Sequence, residues 1–310
     1  MRRLLVMALV ATSLVAACGA DAGGSRQSSN PDAPLQVVTT TTVLTDFAAV
    51  IGGERVGIYG LLKPNVDPHD YEPAPADLDA IAKARVIVKN GVGLEEWLDD
   101  TIRSSGTKAT VADASEGITV RDLPAADRDA AHDHGDPHIW HDPRNATRMV
   151  TTIAAAFTAA DPAGASVYAA NLATYVAALR SLDTEIAADI DTLTNKKLVT
   201  NHDAFGYFVD RYGLTFVGSI IPSFDTSADL SASDLRNLVT AIKAEGVKAV
   251  FSESSLPAKT AASIAADAGV KVVEGDDALY GDGLGPAGSD GATYLTMMRH
   301  NAQTIASSLR

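Results

Sequence analysis

Short apolar runs alternate with amphipathic stretches along most of the chain. The runs that begin at Leu35, Val56 and Arg85 are continuous and bounded by turn residues, as is typical of buried parallel strands. Helical spacing of apolar residues follows each of them. The same alternation returns after residue 195, where the apolar runs KLVT, LTFVGSI, VKAVFSE and VKVVE are predicted strands, and it ends in a helical pattern over residues 293–309. This alternation predicts an α/β fold with doubly wound, mainly parallel sheets.

One helical pattern is much longer than the others. Asp161 and Pro162 suit a helix cap and the first helical position, and apolar residues then recur at gaps of mostly three and four. These apolar residues are Val167, Leu172, Val176, Leu179, Leu182, Ile186, Ile190 and Leu193. Their positions drift rather than keep a strict heptad, which disfavours a coiled coil. The pattern predicts a rigid linking helix of roughly 30 residues, about 45 Å long.

The ends of these patterns set the domain boundaries. We predict an N-terminal α/β lobe over residues 35–160, a linking backbone helix over residues 161–194 and a C-terminal α/β lobe over residues 195–310. A chain of 310 residues is long enough for two such lobes. Both halves follow the same alternating plan, although no internal sequence repeat is evident.

The N-terminus does not follow this plan. Residues 1–17 carry Arg2 and Arg3 and then an apolar run too short to span a membrane, which is typical of a secretory signal peptide. Cys18, the only cysteine, ends the sequence VAAC, which resembles the bacterial lipobox, where the cysteine becomes the acylated first residue of the mature protein. Residues 18–34 are rich in Gly, Ser, Asp and Pro. We therefore predict a lipid-anchored flexible tether that reaches roughly 20–25 Å.

The charge balance excludes one class of partner. The chain has 25 Lys and Arg against 39 Asp and Glu, a formal net charge of −14. Nucleic-acid binding requires clustered basic residues, so we expect no nucleic-acid partner. An acidic surface is compatible with cation handling, although solubility alone is a common reason for one.

Three of the seven histidines lie where strands lead into helices. His69 follows the strand at Val56, His138 precedes a helix that begins near Asn145, and His202 follows the apolar run KLVT. Open α/β sheets bind ligands beyond the carboxyl ends of their strands. His69 and His138 also share the tripeptide DPH, in which proline stiffens the backbone before the imidazole. Each position alone is typical of a capping or exposed histidine, but together they indicate a metal site.

Four motifs carry a specific resemblance to a known family. PNVDPHDYEP, DPHIWHDP, NHDAFGYF and LYGDGLG occur in the order and spacing found in the zinc- and manganese-binding solute receptors of bacterial ABC importers, solute-binding protein family 9. The chain resembles this family from Leu35 to Arg310. The resemblance implies the helical-backbone metal-receptor fold, in which one long rigid helix joins two α/β lobes and the metal binds in the cleft between them.

The resemblance also implies a set of metal ligands. Four residues match the ligand positions of the family: His69, His138, His202 and Asp282. For the carboxylate position, Asp276 and Asp277 are nearby alternatives to the matching residue. Three neutral imidazoles and one carboxylate suit Zn²⁺. Relatives that favour manganese usually carry Glu where this chain has its third histidine, so the sequence favours Zn²⁺, with Mn²⁺ as the alternative.

The other histidines of the stretch HDHGDPHIWHDP have a separate interpretation. His141 stands where family members commonly have an aliphatic residue, and together with His132 and His134 it is a candidate auxiliary metal site. Longer His-rich loops occur at this place in zinc-type relatives, whereas the loop here is short. Weak auxiliary metal capture and a solvated loop without a defined role are both left open.

The resemblance implies a role in transport. We expect a monomeric extracytoplasmic lipoprotein, anchored to the outer face of the cytoplasmic membrane, which captures Zn²⁺ and delivers it to an ABC permease with a cytoplasmic ATPase. A manganese-preferring receptor and a metal-binding adhesin or buffer are the alternatives. A secreted zinc hydrolase is least favoured, because the chain has no HExxH pair and four protein ligands leave no position for a reactive water. We therefore predict that the protein is not an enzyme.

Overall fold

The structure, a computed structural model, describes residues 33–122, 134–224, 226 and 231–310. Within these residues the chain forms eight strands and nine α-helices. The strands are β1 (Leu35–Thr39), β2 (Val56–Gly60), β3 (Val86–Lys89), β4 (Thr110–Asp113), β5 (Lys197–His202), β6 (Thr215–Ile221), β7 (Ala249–Phe251) and β8 (Lys271–Val273). The helices are α1 (Thr42–Gly52), α2 (Pro75–Lys83), α3 (Leu98–Ser105), α4 (Pro143–Ala160), α5 (Ala165–Asp191), α6 (Gly206–Tyr212), α7 (Ala232–Glu245), α8 (Ala258–Ala268) and α9 (Tyr294–Leu309).

The first four strands form one parallel sheet in the order β2-β1-β3-β4. Successive side chains of a strand point to opposite faces, and both faces of this sheet are covered. Val37 and Val88 face the main core, which includes residues of α1 and α4. Val38 and Ile87 face a smaller core formed with α2 and α3. Burial on both faces explains why these strands are continuous apolar runs in the sequence.

The last four strands form two parallel pairs, β5-β6 and β7-β8. Strand β5 lies beside β7, and a parallel bridge joins Glu253 to Leu279 beyond the end of β7. Alternate residues again face opposite cores, since Leu198 belongs to the main core and Val199 to a core shared with α7 and α8. The carboxyl ends of β5 and β7 therefore lie close together, next to the segment that follows β8.

The linking helix begins differently from its prediction. A 3₁₀ turn, Pro162–Gly164, precedes α5, and the Asp161 side chain does not cap it. The Asp161 carboxylate instead accepts hydrogen bonds from the Arg55 guanidinium at 2.8 Å and from the Tyr168 hydroxyl at 2.7 Å. The Arg55 guanidinium and the Tyr168 hydroxyl therefore take the place of the backbone N–H groups that a helix cap would bind.

The buried face of α5 also differs from its prediction in the first turns. Tyr168 and Tyr175 are buried there, whereas Val167 is 38% exposed. The pattern of aliphatic residues alone does not find this face, because tyrosine buries an apolar ring while its hydroxyl finds a polar partner. From Leu179 to Ile190 the predicted face is the buried one. Helix α5 packs against α1 and α4 from the preceding part of the chain and against α6 and α9 from the following part.

Several sequence-based predictions lie outside the described residues or stay predictions. The signal peptide (residues 1–17), Cys18 and the tether up to residue 32 are among the residues that the structure does not describe. Residues 34–310 form one compact unit, so the division into two lobes stays a prediction. In the described part of the chain, we find no helix with the length and apolar character needed to cross a membrane.

Candidate metal centre

Four side chains from distant parts of the sequence meet at one buried point. His69, His138, His202 and Asp282 each offer one ligand atom, and these four atoms lie within 4.8 Å of one another. Asp282 Oδ1 is 3.8 Å from the Nε2 atom of His69, 3.3 Å from that of His138 and 3.1 Å from that of His202. The Nε2 atoms of His138 and His202 are 3.3 Å apart. The structure thus brings together the four residues that the resemblance predicts as ligands.

The four residues lie on four different segments, and only His202 belongs to a strand. His69 is in the loop between β2 and α2, and its backbone N–H donates to Asp67 Oδ1 at 2.9 Å. His138 precedes a 3₁₀ turn that leads into α4, and His202 is the last residue of β5. Asp282 lies between β8 and α9. His69 follows a strand of the four-stranded sheet, whereas His202 ends a strand of another sheet, so residues far apart in sequence meet here beyond the carboxyl ends of strands from different sheets.

The alternatives for the carboxylate ligand are not at this point. Asp276 and Asp277 belong to an exposed 3₁₀ turn and are absent from the group of ligand atoms around Asp282 Oδ1. Asp282 itself is only 2% exposed. Its second carboxylate oxygen, Oδ2, accepts a long hydrogen bond of 3.4 Å from the Ser255 hydroxyl. Only Oδ1 therefore faces the three imidazoles.

A buried carboxylate fixes the ring of His138. Asp136 Oδ1 lies 2.9 Å from His138 Nδ1 and accepts the backbone N–H of His138 at 3.0 Å. Asp136 Oδ2 accepts a hydrogen bond of 2.6 Å from Arg121 Nη1. A carboxylate against Nδ1 holds the imidazole proton there and leaves the Nε2 lone pair facing the centre. This arrangement is common around histidines that bind metals.

Glu253 is the charge partner of His202, although the Nδ1 and Oε2 atoms that face each other lack the geometry of a hydrogen bond. Glu253 Oε2 lies 2.9 Å from His202 Nδ1, and Glu253 Oε1 accepts the backbone N–H of His202 at 3.0 Å. Both side chains are fully buried. In the sequence, the place of Glu253 at the end of the apolar run VKAVFSE leaves open a contact with a metal ligand but favours a plain strand end near the cleft. Asp136 has no role in the sequence analysis, although its position two residues before His138 was an available signal.

The electrostatics of the four residues favour positive charge at the centre. Burial alone would lower the pKa of His138 and His202, but the carboxylates that face them outweigh burial and raise both pKa values. Burial alone would raise the pKa of Asp282. The three histidines, of which His202 has the largest effect, nevertheless hold this pKa well below its ordinary value. The site therefore attracts positive charge, which either protons or a metal cation can supply.

Two atoms at the centre have no hydrogen-bond partner among the described residues. These are His69 Nε2 and Asp282 Oδ1, both buried. Buried polar atoms without a partner are rare in native proteins. A cation bound by both atoms would remove the cost of burying them, and three imidazole nitrogens with one carboxylate oxygen are a common donor set for Zn²⁺. The site can therefore bind a divalent metal without any other ligand from the chain.

The other histidines of the motif are arranged differently. His141 is fully buried, its Nε2 lies 2.9 Å from the Gly281 carbonyl oxygen, and its ring packs against Phe205. Burial lowers the pKa of His141 to about 3, so the ring is neutral. His134 is exposed, and His132 lies outside the described residues. His141 is thus held inside the protein rather than in a loop with His134, and an auxiliary metal role for the three stays a prediction.

Comparison with known proteins gives matches over nearly the whole chain. The family described as "Zinc-uptake complex component A periplasmic" matches residues 37–308. The manganese-binding lipoprotein MntA of Bacillus subtilis is 32% identical over 312 residues, which cover 99% of both chains. The protein of the same name from Halalkalibacterium halodurans is 30% identical over 308 residues, which cover 99% of this chain and 96% of that protein.

The fold has a close structural counterpart. The periplasmic zinc binding protein TroA from Treponema pallidum superposes with a TM-score of 0.80 at 29% identity, over 89% of this chain and 99% of that one. The predicted fold class, with mainly parallel sheets and one long helix, is confirmed. The similar proteins are named for different metals, so their names alone do not assign a metal to this chain.

Replacing Glu253 by Gln tests the electrostatics of the site without any metal. The substitution keeps the size of the side chain and removes the charge that faces His202 Nδ1, so the pKa of His202 should fall in the metal-free protein. An NMR titration of the imidazole measures this shift. Glu245→Gln is the control, because it removes only a surface pair with Lys197. An unchanged His202 pKa in Glu253→Gln would contradict the assigned role.

Proposed function

The chain belongs to the family of periplasmic zinc-uptake components, metal-binding receptors of ABC importers and not enzymes, and on this premise we propose that it captures Zn²⁺ for import. The proposed ligands are His69, His138, His202 and Asp282. The observation that carries the proposal is the convergence of their four ligand atoms at one buried point.

The distances between ligand atoms support a four-coordinate metal. Ligands at ~2.0–2.1 Å from a tetrahedral Zn²⁺ are about 3.3–3.4 Å from one another. Three of the observed separations are 3.1, 3.3 and 3.3 Å, and the separation between His69 Nε2 and Asp282 Oδ1 is 3.8 Å. All six separations are within 4.8 Å, and the longer ones involve His69, so His69 would move inward to coordinate Zn²⁺. Four protein ligands would complete the shell, which favours carriage of the ion over chemistry on it.

The choice of zinc rests on the kind of donor atom. Three imidazole nitrogens suit Zn²⁺, whereas Mn²⁺ favours oxygen donors. The two similar bacterial proteins named MntA are called manganese-binding, and the similar TroA structure is called zinc binding. A manganese receptor built on the same four residues is therefore the second candidate. A metal-binding adhesin or buffer differs from both in having no permease partner.

The proposed receptor acts outside the cytoplasmic membrane. Acylated Cys18 would anchor it, and residues 18–34 would give the folded part freedom to reach the permease. The word lipoprotein in the names of the two similar bacterial proteins supports this anchor. We further propose that a monomer with lobes over residues 35–160 and 195–310 carries the ion to a permease with a cytoplasmic ATPase.

Paired substitutions of two aspartates test the ligand set and the function. Asp282→Ala should weaken Zn²⁺ binding by about 100-fold or more, because it removes the anionic ligand. Asp276→Ala, a nearby exposed carboxylate, should leave one Zn²⁺ bound with unchanged affinity. Competitive titration measures both, and zinc accumulation in receptor-deleted cells carrying each variant measures import. Equal effects of the two substitutions, or no zinc bound by the unmodified protein, would contradict the proposal.

Zinc affinity should fall as the pH falls. The pKa values of His138 and His202 are raised, so in the metal-free protein protons occupy them at pH values above the ordinary range of histidine. Zn²⁺ must displace the proton of each protonated ligand. At pH values below the pKa of that ligand, the affinity therefore falls by about tenfold per pH unit for each displaced proton. Affinity should therefore rise with pH and level off once both imidazoles are neutral. Competitive titrations at about pH 5.5 and about pH 7.5 that give equal constants would exclude His138 and His202 as ligands.

Replacing His202 by Glu should shift the preference toward Mn²⁺. The substitution exchanges a nitrogen donor for a harder oxygen donor. Absolute affinity should fall for both metals, because the new carboxylate faces Glu253, so the informative quantity is the ratio of the zinc and manganese dissociation constants. His134→Glu, at an exposed position, is the control. The same ratio in His202→Glu and in the unmodified protein would count against His202 as a ligand.

A further inference from the structure

His141 is a buried histidine to which the proposed metal site assigns no role. We propose that it is a positioning residue, which holds the Gly281 carbonyl group and thereby fixes Asp282, the carboxylate ligand. The proposal rests on the proposed function, since it takes Asp282 as the ligand. It adds a determinant of metal affinity that lies outside the four ligands.

The peptide group that joins Gly281 to Asp282 is held by two hydrogen bonds to its carbonyl oxygen. The Gly281 carbonyl oxygen accepts hydrogen bonds from His141 Nε2 at 2.9 Å and from Trp140 Nε1 at 3.2 Å, which use both of its lone pairs. Glu253 Oε2 leaves no room for a side chain at Gly281, since a Cβ atom there would collide with it. Because the peptide group is planar, fixing this carbonyl also fixes the backbone nitrogen of Asp282.

The ring of His141 is itself held in place. It packs against Phe205, with ring centroids 4.5 Å apart and planes inclined by 31°. Phe205 lies three residues after His202, and His141 lies three residues after His138. Through Gly281 it also contacts the segment that carries Asp282. One imidazole therefore connects three of the four segments that carry the proposed ligands.

Packing alone does not explain a histidine at this position. His141 Nδ1 is buried and has no hydrogen-bond partner among the described residues, which costs stability. An aliphatic side chain would avoid this cost. The neutral ring, with its pKa lowered to about 3 by burial, donates through Nε2 and can thus serve the Gly281 carbonyl group. Since Nε2 is directed to a backbone oxygen, this role also differs from that of an auxiliary metal ligand.

Three substitutions separate this role from a general effect on packing. His141→Leu removes the donor, and we expect it to lower Zn²⁺ affinity by about 10-fold or more, as is usual when a group that orients a ligand is lost. His141→Gln places an amide N–H near the position of Nε2 and should restore most of the affinity. His300→Leu is the control, because it removes an equivalent hydrogen bond of 3.0 Å from an imidazole to Ala278, four residues before Asp282. We expect it to leave the affinity unchanged.

Two further readouts show whether any loss comes from the geometry of the site. The visible absorption spectrum of the Co²⁺-loaded protein reports coordination geometry, and it should change in His141→Leu but not in His141→Gln or His300→Leu. Thermal unfolding of the metal-free variants reports folding. His141→Leu should unfold at the same temperature as the unmodified protein or higher, because it no longer buries an unpartnered nitrogen.

The outcomes distinguish this inference from the proposed function. If the unmodified protein binds no Zn²⁺, the proposed function fails. If it binds Zn²⁺ and His141→Leu has the same affinity and the same Co²⁺ spectrum, the proposed function stands and the positioning role is wrong. Equal losses in His141→Leu and His300→Leu would also overturn the positioning role, because they would indicate a general loosening of the segment.

Discussion

Three imidazoles approach one carboxylate oxygen inside the protein, and this interaction defines the site. Asp282 Oδ1 lies within 3.8 Å of all three Nε2 atoms, in a place almost closed to solvent. Two more carboxylates, Asp136 and Glu253, stand behind His138 and His202. Burying three carboxylates around three imidazoles is expensive unless a cation is shared among them. The buried carboxylates and imidazoles therefore destabilise the empty site and favour the binding of a divalent metal.

The fold supplies this interaction through the ends of its strands and through its long helix. The parallel strands bring the segments of His69, His202 and Asp282 to one side, and the turn before α4 adds His138. Helix α5 packs against α1 and α4 and also against α6 and α9, so it connects elements from both parts of the chain.

Much of this could be predicted from the sequence, because the signals are local. Continuous apolar runs predicted seven of the strands, and the DPH and NHD motifs pointed to the ligand histidines. Strand β4 was not predicted, since of its four residues only Ala112 is buried. Asp136 was also missed as a partner of a ligand, and the ligand that Glu253 contacts was not identified. Glu253 contacts His202 and Gly281 contacts His141 only through the tertiary fold, and no spacing in the sequence reports such pairs. His141 was grouped with its neighbours because an imidazole in a His-rich stretch looks the same whether it is exposed or buried.

The most direct test of the central claim is a crystal structure of the protein loaded with Zn²⁺, with anomalous diffraction measured on both sides of the zinc absorption edge. We expect one strong anomalous peak at roughly 2.0–2.1 Å from the Nε2 atoms of His69, His138 and His202 and at a similar distance from Asp282 Oδ1. No peak among these four atoms, or a stronger one bound by other residues, would contradict the claim that they form the metal site.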